Sequence, residues 1–296
     1  MRVIVSGAGG FLGKELVKQM RERDMDFLAA TSRPSELIAE VGIQDRSVID
    51  AKQLLQKDTY KEGDVVVNCA FPRTNDGIAM ADGLNYLAQL IQCAMKSNAS
   101  GFVNVSSQSV YSQYRAKPAT ESDVLDLESS YAVAKRGIEL LLEAQSSCIP
   151  CTNIRLASLI GPNFNQRVPN RMVETALETG EIRVVDNGSQ FGFMDVRDAA
   201  GALLRMLEFS TDVWQKTYNL SSGQCWTLTD IAQAIQEAFG AILGQLVEID
   251  RVETQTIPIS SLVDSRLFCT EFDWFPIWDK KSTIESIVND LIGKRL

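Results

Sequence analysis

The chain has 296 residues, 45% of them hydrophobic and 23% charged, with a net charge of −9. That composition supports a sizeable core and excludes a disordered chain. The acidic balance argues against a nucleic-acid partner, because phosphate backbones attract basic faces. Histidine is absent, which excludes Ser-His-Asp and Cys-His catalysis and any histidine-ligated metal. A general acid must then be Tyr, Lys, Cys, Asp or Glu. Of six cysteines, only Cys148 and Cys151 form a CxxC pair. Without a second pair there is no zinc framework, and no metal is expected. The pair reads as ordinary thiols where a helix turns into a strand. No apolar run approaches the ~18 residues that span a bilayer, and no targeting segment is evident. The expectation is a cytoplasmic protein with no membrane partner.

Arg2 to Ser6 reads as a buried strand. Leu12 to Arg23 reads as a helix, with Leu12, Leu16, Val17 and Met20 on one face. Further strands are expected at Phe27–Thr31, Val48–Ile49, Asp64–Asn68, Gly101–Val105 and Thr152–Ser158. Between them lie a helix holding Leu54 and Leu55, and helices at Gly83–Met95 and Ser129–Gln145. The strands are continuous apolar runs, as in a sheet covered on both faces. The expected fold is therefore α/β, a doubly wound parallel Rossmann sheet. Beyond Gly161-Pro162 the pattern loosens. Helices are expected at Arg171–Thr179, Val196–Phe209, Thr227–Phe239 and Thr283–Ile292, and strands at Ile182–Val185 and Thr217–Leu220. Thr227 or Thr229 can cap the third of these helices. The expected division is a dinucleotide-binding domain (1–160 plus about 192–219) and a smaller α+β C-terminal substrate lobe (161–191 plus about 220–296).

Ser6-Gly7-Ala8-Gly9-Gly10-Phe11-Leu12-Gly13 joins the first strand to the first helix. Gly7 suits the tight turn, Gly10 lets backbone approach a pyrophosphate, and Gly13 allows close helix–sheet packing. The free N–H groups at the helix start, around Phe11 and Leu12, face the phosphates. A dinucleotide is expected here. Enzymes that prefer NAD usually place an acid at the end of the second strand. Here that end reads Ala29-Ala30-Thr31-Ser32-Arg33. Arg33 and Ser32 can bind the extra phosphate of NADP, so NADP(H) is favoured over NAD(H). Asp50 can accept from the adenine amino group or cap the next helix.

Tyr131-Ala132-Val133-Ala134-Lys135 is a Tyr-x-x-x-Lys segment on an expected helix, with both side chains on one face. A nearby ammonium favours the phenolate and makes Tyr131 a usable acid or base. Lys135 can also hold the nicotinamide ribose. Ser106 and Ser107 end the fifth strand, where open α/β sheets bind ligands.

These features resemble the extended short-chain dehydrogenase/reductases, the NAD(P)-dependent epimerase/dehydratase group, along nearly the whole chain. Gly7, Gly10 and Gly13 fit its GxxGxxG. Ser107-Gln108-Ser109-Val110-Tyr111 is similar to its S-x-x-V-Y, which points to Ser107. Arg155 with Gly161-Pro162 resembles its R…GP. Phe193 to Asp198 resembles its F-x-x-V-x-D, and Tyr218 to Gly223 its YN(L/I)-x-x-G. The resemblance implies Tyr131 as proton donor or acceptor, Ser107 as orienter and Lys135 as ribose clamp. It implies cofactor contact at Ala70, and homodimers formed through two helices of each subunit. Nucleotide-sugar members often carry an Arg-Asp pair just before F-x-x-V-x-D, where this chain has Phe191-Gly192. Arg251, Arg167 or Arg171 can replace that arginine, though each reads first as a surface charge. Arg73 can meet an anionic substrate, and Gln108 stands beside the catalytic hydroxyl.

Three functions follow in order. The first is an NADPH-dependent reductase of a keto-sugar or its nucleotide derivative. The second is a nucleotide-sugar 4-epimerase with retained cofactor. The third is a non-catalytic NADP-sensing regulator, against which the intact Tyr131 and Lys135 speak. Dehydration is disfavoured, because Gln108 and Ser109 stand where dehydratases of the group carry acids.

Overall fold

A computed structural model describes residues 1–295 except Asn75 and Asn165. Its strands are β1 (Val3–Ser6), β2 (Phe27–Thr31), β3 (Val48–Asp50), β4 (Val65–Asn68), β5 (Gly101–Ser107), β6 (Cys151–Leu156), β7 (Ser158–Ile160), β8 (Glu181–Asp186), β9 (Phe193–Asp195), β10 (Thr217–Leu220) and β11 (Glu248–Glu253). Its helices are α1 (Phe11–Glu22), α2 (Pro34–Val41), α3 (Gly77–Lys96), α4 (Ser130–Glu143), α5 (Val168–Thr179), α6 (Val196–Met206), α7 (Leu228–Leu243), α8 (Arg266–Phe272) and α9 (Lys280–Gly293).

Seven strands form one parallel sheet in the order β10-β6-β5-β4-β1-β2-β3. The chain runs outward from β1 to β3, then crosses to the other side at β4. That reversal opens a crevice between β1 and β4, the place where such sheets bind ligands. Ser6 is level with Asn68, and Asn68 with Asn104, so the carboxyl ends of β1, β4 and β5 lie side by side. Both faces of the sheet are covered. Val3 and Val5 join Leu16, Leu203 and Phe268 on one face, while Ile4 joins Leu87, Phe102 and Ile138 on the other. This is why the strands read as unbroken apolar runs. Buried amides also run across the sheet, Asn68 donating to Asn104 at 3.2 Å and Asn104 to Asn153 at 2.8 Å.

A further core collects Val173, Ile182, Val184, Trp226, Ile231 and Ile284, from the vicinity of α5, β8, α7 and α9. β8 pairs with β11 and β7 with β9, each pair parallel. The sequence pattern missed α2, β7, β9, β11 and α8, which are short or carry no clear period. It also started α3 six residues late. Asp76 sets the true start, accepting from the Ile78 and Ala79 amides at 2.8 and 3.2 Å. Thr227 is the cap of α7. The expected boundary near 220 is crossed by α8. Phe268 and Phe272 leave the C-terminal region and pack edge-on against Tyr218 of β10 in the sheet's core.

Phe268→Ala removes a fully buried ring from this seam. It should destabilise the whole chain by about 3–5 kcal/mol, read as a shift in the urea midpoint followed by a probe on the sheet. An unchanged midpoint would mean that α8 does not brace the sheet.

Candidate active site

The glycine turn is built for close approach. Gly7 has φ +77°, and a Cβ there would lie 2.6 Å from the Ala70 nitrogen. At Gly13 a Cβ would meet the Gly7 carbonyl and come within 2.8 Å of Ala8 Cα. Backbone from β1, α1 and the end of β4 is thus pressed together. At Gly10 only the Gly7 carbonyl lies near, at 3.2 Å, and the residue is exposed. The start of α1 therefore presents free N–H groups to an open face, a cradle that fits a dinucleotide pyrophosphate. Beside it the ring of Phe11 stacks on Phe164, centroids 4.2 Å apart. The loop after β7 is thereby drawn over the turn.

At the end of β2, Thr31 is buried and its hydroxyl accepts from the Arg33 amide at 3.2 Å. Ser32 and Arg33 are exposed, and the Arg33 guanidinium meets Glu36 at 2.8 Å. Asp50 caps the turn that follows it, accepting from the Lys52 amide in a reciprocal arrangement with Gln53. Of its two anticipated roles, the cap is the one visible.

Ser107, Tyr131 and Lys135 converge on the carboxyl end of β5. Ser107 Oγ accepts from the Ser109 amide at 3.2 Å and the Ser109 hydroxyl at 3.0 Å. Its own proton is left free to donate, and Ser107 helps to lower the Tyr131 phenol. Lys135 is buried and donates to the Val105 carbonyl at 2.8 Å. Its ammonium lies 4.9 Å from the Phe71 ring centroid and 5.8 Å from that of Tyr131. Burial holds the Lys135 amine down at about 8.

The electrostatics of Tyr131 differ from the expectation. Burial pushes the phenol above its ordinary value; the cations that pull it back are Arg73 and Arg167, assisted by Ser107. Arg73 comes from the loop after β4, whose Phe71 ring lies 6.1 Å from the Tyr131 ring. Arg167 immediately precedes α5 and is half-buried, with Nε out of reach of solvent and without a hydrogen-bond partner. Its reading as a surface charge is therefore corrected. Arg171, one turn along α5, is exposed. Arg251 is exposed on β11 and acts on Asp186. Gln108 is tied down, its carbonyl oxygen accepting from Arg115 at 3.2 Å. Phe191, where an arginine was sought, pairs its backbone with Trp226 and stacks on Phe193 at 5.8 Å.

Beneath this set lies an ion pair that the sequence reading overlooked. Glu139 accepts from Arg155 Nε at 3.1 Å and Nη2 at 2.9 Å, and from Ser106 at 2.5 Å. Burial would raise the Glu139 carboxyl, but the bonds and charge of Arg155 bring it below its ordinary value. Arg155 also donates to Tyr111, which donates to Asn219 of β10. The spacing Tyr131, Lys135, Glu139 repeats every four residues, and that was the available signal.

Among the described residues, no group of three or more Cys, Asp or Glu could hold a metal ion, and no helix is long and apolar enough to cross a membrane.

Residues 3–221 match the model of the NAD dependent epimerase/dehydratase family. The chain belongs to that family. It is an enzyme of the short-chain dehydrogenase type, with a nicotinamide cofactor. Curated relatives include the low-salt glycan biosynthesis protein Agl12 of Haloferax volcanii, 23% identical over 99% of both chains. Another is a dTDP-4-dehydro-6-deoxy-D-allose reductase of a Streptomyces species, 26% identical over 70% of this chain and 72% of the relative. A solved UDP-N-acetylglucosamine 4-epimerase from Bacillus cereus superposes with a TM-score of 0.83 at 22% identity, covering 100% of this chain and 97% of that one. The parallel sheet and its switch point are thus shared with structures of this family.

Lys135 makes the stability of this family member depend on pH. Its folded pKa of about 8 lies below the free-amine value of about 10.4. Between these values the unfolded chain binds more protons at this site, so stability from this group rises with pH. Urea unfolding of the cofactor-free protein should show wild type gaining on Lys135→Met across that window. A constant difference would remove the shift.

Proposed function

We propose that the chain is an NADPH-dependent reductase of a keto-sugar or a nucleotide-linked keto-sugar. The observation that carries this reading is the convergence of Ser107, Tyr131 and Lys135 at the carboxyl end of β5, beside the glycine cradle. The bound nicotinamide supplies hydride to the carbonyl carbon. Tyr131 delivers a proton to the carbonyl oxygen, so that ketone, hydride and proton together give the alcohol. Ser107 donates its free proton to the same oxygen and sets its position. Lys135 holds the nicotinamide ribose and keeps a positive charge near the developing alkoxide.

The preference for NADPH is supported by the missing acid at the end of β2 and by the exposed pair Ser32 and Arg33. The Arg33–Glu36 contact is exposed on both sides. Such a pair is worth at most about 1 kcal/mol, too little to withhold Arg33 from a phosphate. Retained-cofactor 4-epimerisation is the second reading, favoured by the likeness to the solved UDP-N-acetylglucosamine 4-epimerase and by a Ser/Tyr/Lys set that suffices for it. Within either reading the chain pairs with a second copy through α3 and α4, where Val133, Leu140 and Leu141 leave apolar side chains exposed.

Tyr131→Phe keeps the ring and removes the proton. Turnover of a keto-sugar substrate, followed by NADPH absorbance, should fall about 10²–10⁴-fold with cofactor affinity unchanged. Full turnover in this variant would sink the reading. In fluorescence titrations NADPH should bind about tenfold tighter than NADH, equivalent to about 1.4 kcal/mol. Arg33→Ala should erase the difference. Equal affinities in the wild type would hand the site to NAD.

A further inference from the structure

Among the described residues neither Arg73, which is exposed, nor the half-buried Arg167 meets a carboxylate, and the charges of both act on Tyr131. Arg2, Arg115, Arg136, Arg155, Arg197 and Arg205 are each at least half-buried, and each donates to a carboxylate or carbonyl. Arg167 is half-buried too, yet among the described residues its side chain makes no hydrogen bond or ion pair, and its Nε is desolvated. Leaving a cationic donor so placed costs free energy. The cost is raised by Arg73, whose like charge acts on Arg167 and, together with burial, brings it down to about 10. Such strain persists on a chain of net charge −9, where carboxylates are plentiful. The two arginines approach from different elements. Arg73 follows Phe71, whose ring lies against Tyr131 and Lys135. Arg167 ends the loop that Phe164 fastens to Phe11. Both charges act on the Tyr131 hydroxyl, so an anion shared by the two guanidinium groups would be held near that hydroxyl rather than at a remote end of the cleft.

We infer that Arg73 and Arg167 form an oxyanion subsite that reads a carboxylate or phosphate on the substrate close to the carbon that exchanges hydride. The inference rests on the oxidoreductase reading above and adds the substrate's charge and where it sits. A planar, always-charged guanidinium suits this task, since it grips an oxyanion in two places. The bound anion neutralises the repulsion between the arginines and fixes the carbonyl against Tyr131. It also withdraws positive field from the phenol, which keeps Tyr131 protonated until transfer.

Calorimetric titration of the full-length protein loaded with NADPH provides the test, with inorganic phosphate, D-glucuronate, D-glucose and UDP as probes. Phosphate or glucuronate should bind with millimolar affinity, and glucose, which lacks the charge, should not. Preference for glucuronate identifies a carboxylate, and preference for phosphate a phosphorylated substrate. Arg167→Met and Arg73→Met should each weaken the preferred probe at least tenfold, with Arg167→Lys recovering part of the loss. Arg251→Met should leave it unchanged. Unaltered thermal unfolding and NADPH affinity in the variants show that folding is not what was lost. Absence of anion binding, or equal affinity in wild type and variants, overturns the subsite. UDP binding tenfold tighter than either anion and dependent on Arg167 also overturns it, by giving the arginine to a nucleotide diphosphate. Failure of the wild type to bind any nicotinamide cofactor would instead refute the functional reading. The same titrations on the unloaded protein would then still decide the subsite.

Discussion

The Glu139–Arg155 ion pair ties α4 to the sheet beneath the candidate site. Glu139 is fully buried on α4 and Arg155 nearly so on β6. Their bond ties the helix that carries Tyr131 and Lys135 to the sheet that carries Ser107. Ser106 adds a bond from β5, and Tyr111 relays the network to Asn219 on β10. Asn219 in turn donates to the Ala119 carbonyl, which fastens the loop between β5 and α4. A buried pair of this kind is not a strong source of net stability, because desolvation offsets attraction. Its value is positional. With Glu139 removed, Arg155 is a buried charge without a carboxylate partner, while Glu139 without Arg155 keeps only Arg136 and Ser106, so the register of α4 on the sheet has few alternatives. A proton-transfer group must sit within a hydrogen bond of its target, and the proposed role of Tyr131 depends on the placement of α4 that this pair sets.

Positive charge is used sparingly around the site. Lys135 is buried and satisfied by the Val105 carbonyl and two aromatic faces. Burial then has two opposed effects. It lowers the lysine to about 8 and raises the tyrosine. Arg73 and Arg167 supply a field that offsets part of the rise in the phenol. The tyrosine is therefore tuned by loops rather than by its own helix.

The loops also join the glycine turn to the C-terminal helices. Phe164 stacks on Phe11 at the glycine turn, and a few residues later Arg167 faces Tyr131. The amide of Asn163 donates to Asp290 on α9. One short segment thus links the glycine turn, the surroundings of Tyr131 and the C-terminal helices.

Much of this was legible in the residues themselves, because it depends on neighbours in the chain. Three glycines at a strand–helix junction, a Tyr-x-x-x-Lys on one helical face and apolar runs of strand length are local patterns. They were enough for the Rossmann sheet, and they pointed to the glycine turn and to Ser107, Tyr131 and Lys135 as the candidate site. Short elements such as β7, β9 and α8 carry too few residues for a period to stand out, and tertiary packing makes them. The same holds for the roles of Arg167 and Glu139. An arginine in a loop reads as solvated, and a glutamate on a helix as a surface charge. Only folding shows the first without a partner beside a phenol and the second with Arg155 inside the core. Desolvation and charge coupling depend on distances between segments far apart in sequence, and the chain's order does not contain those distances.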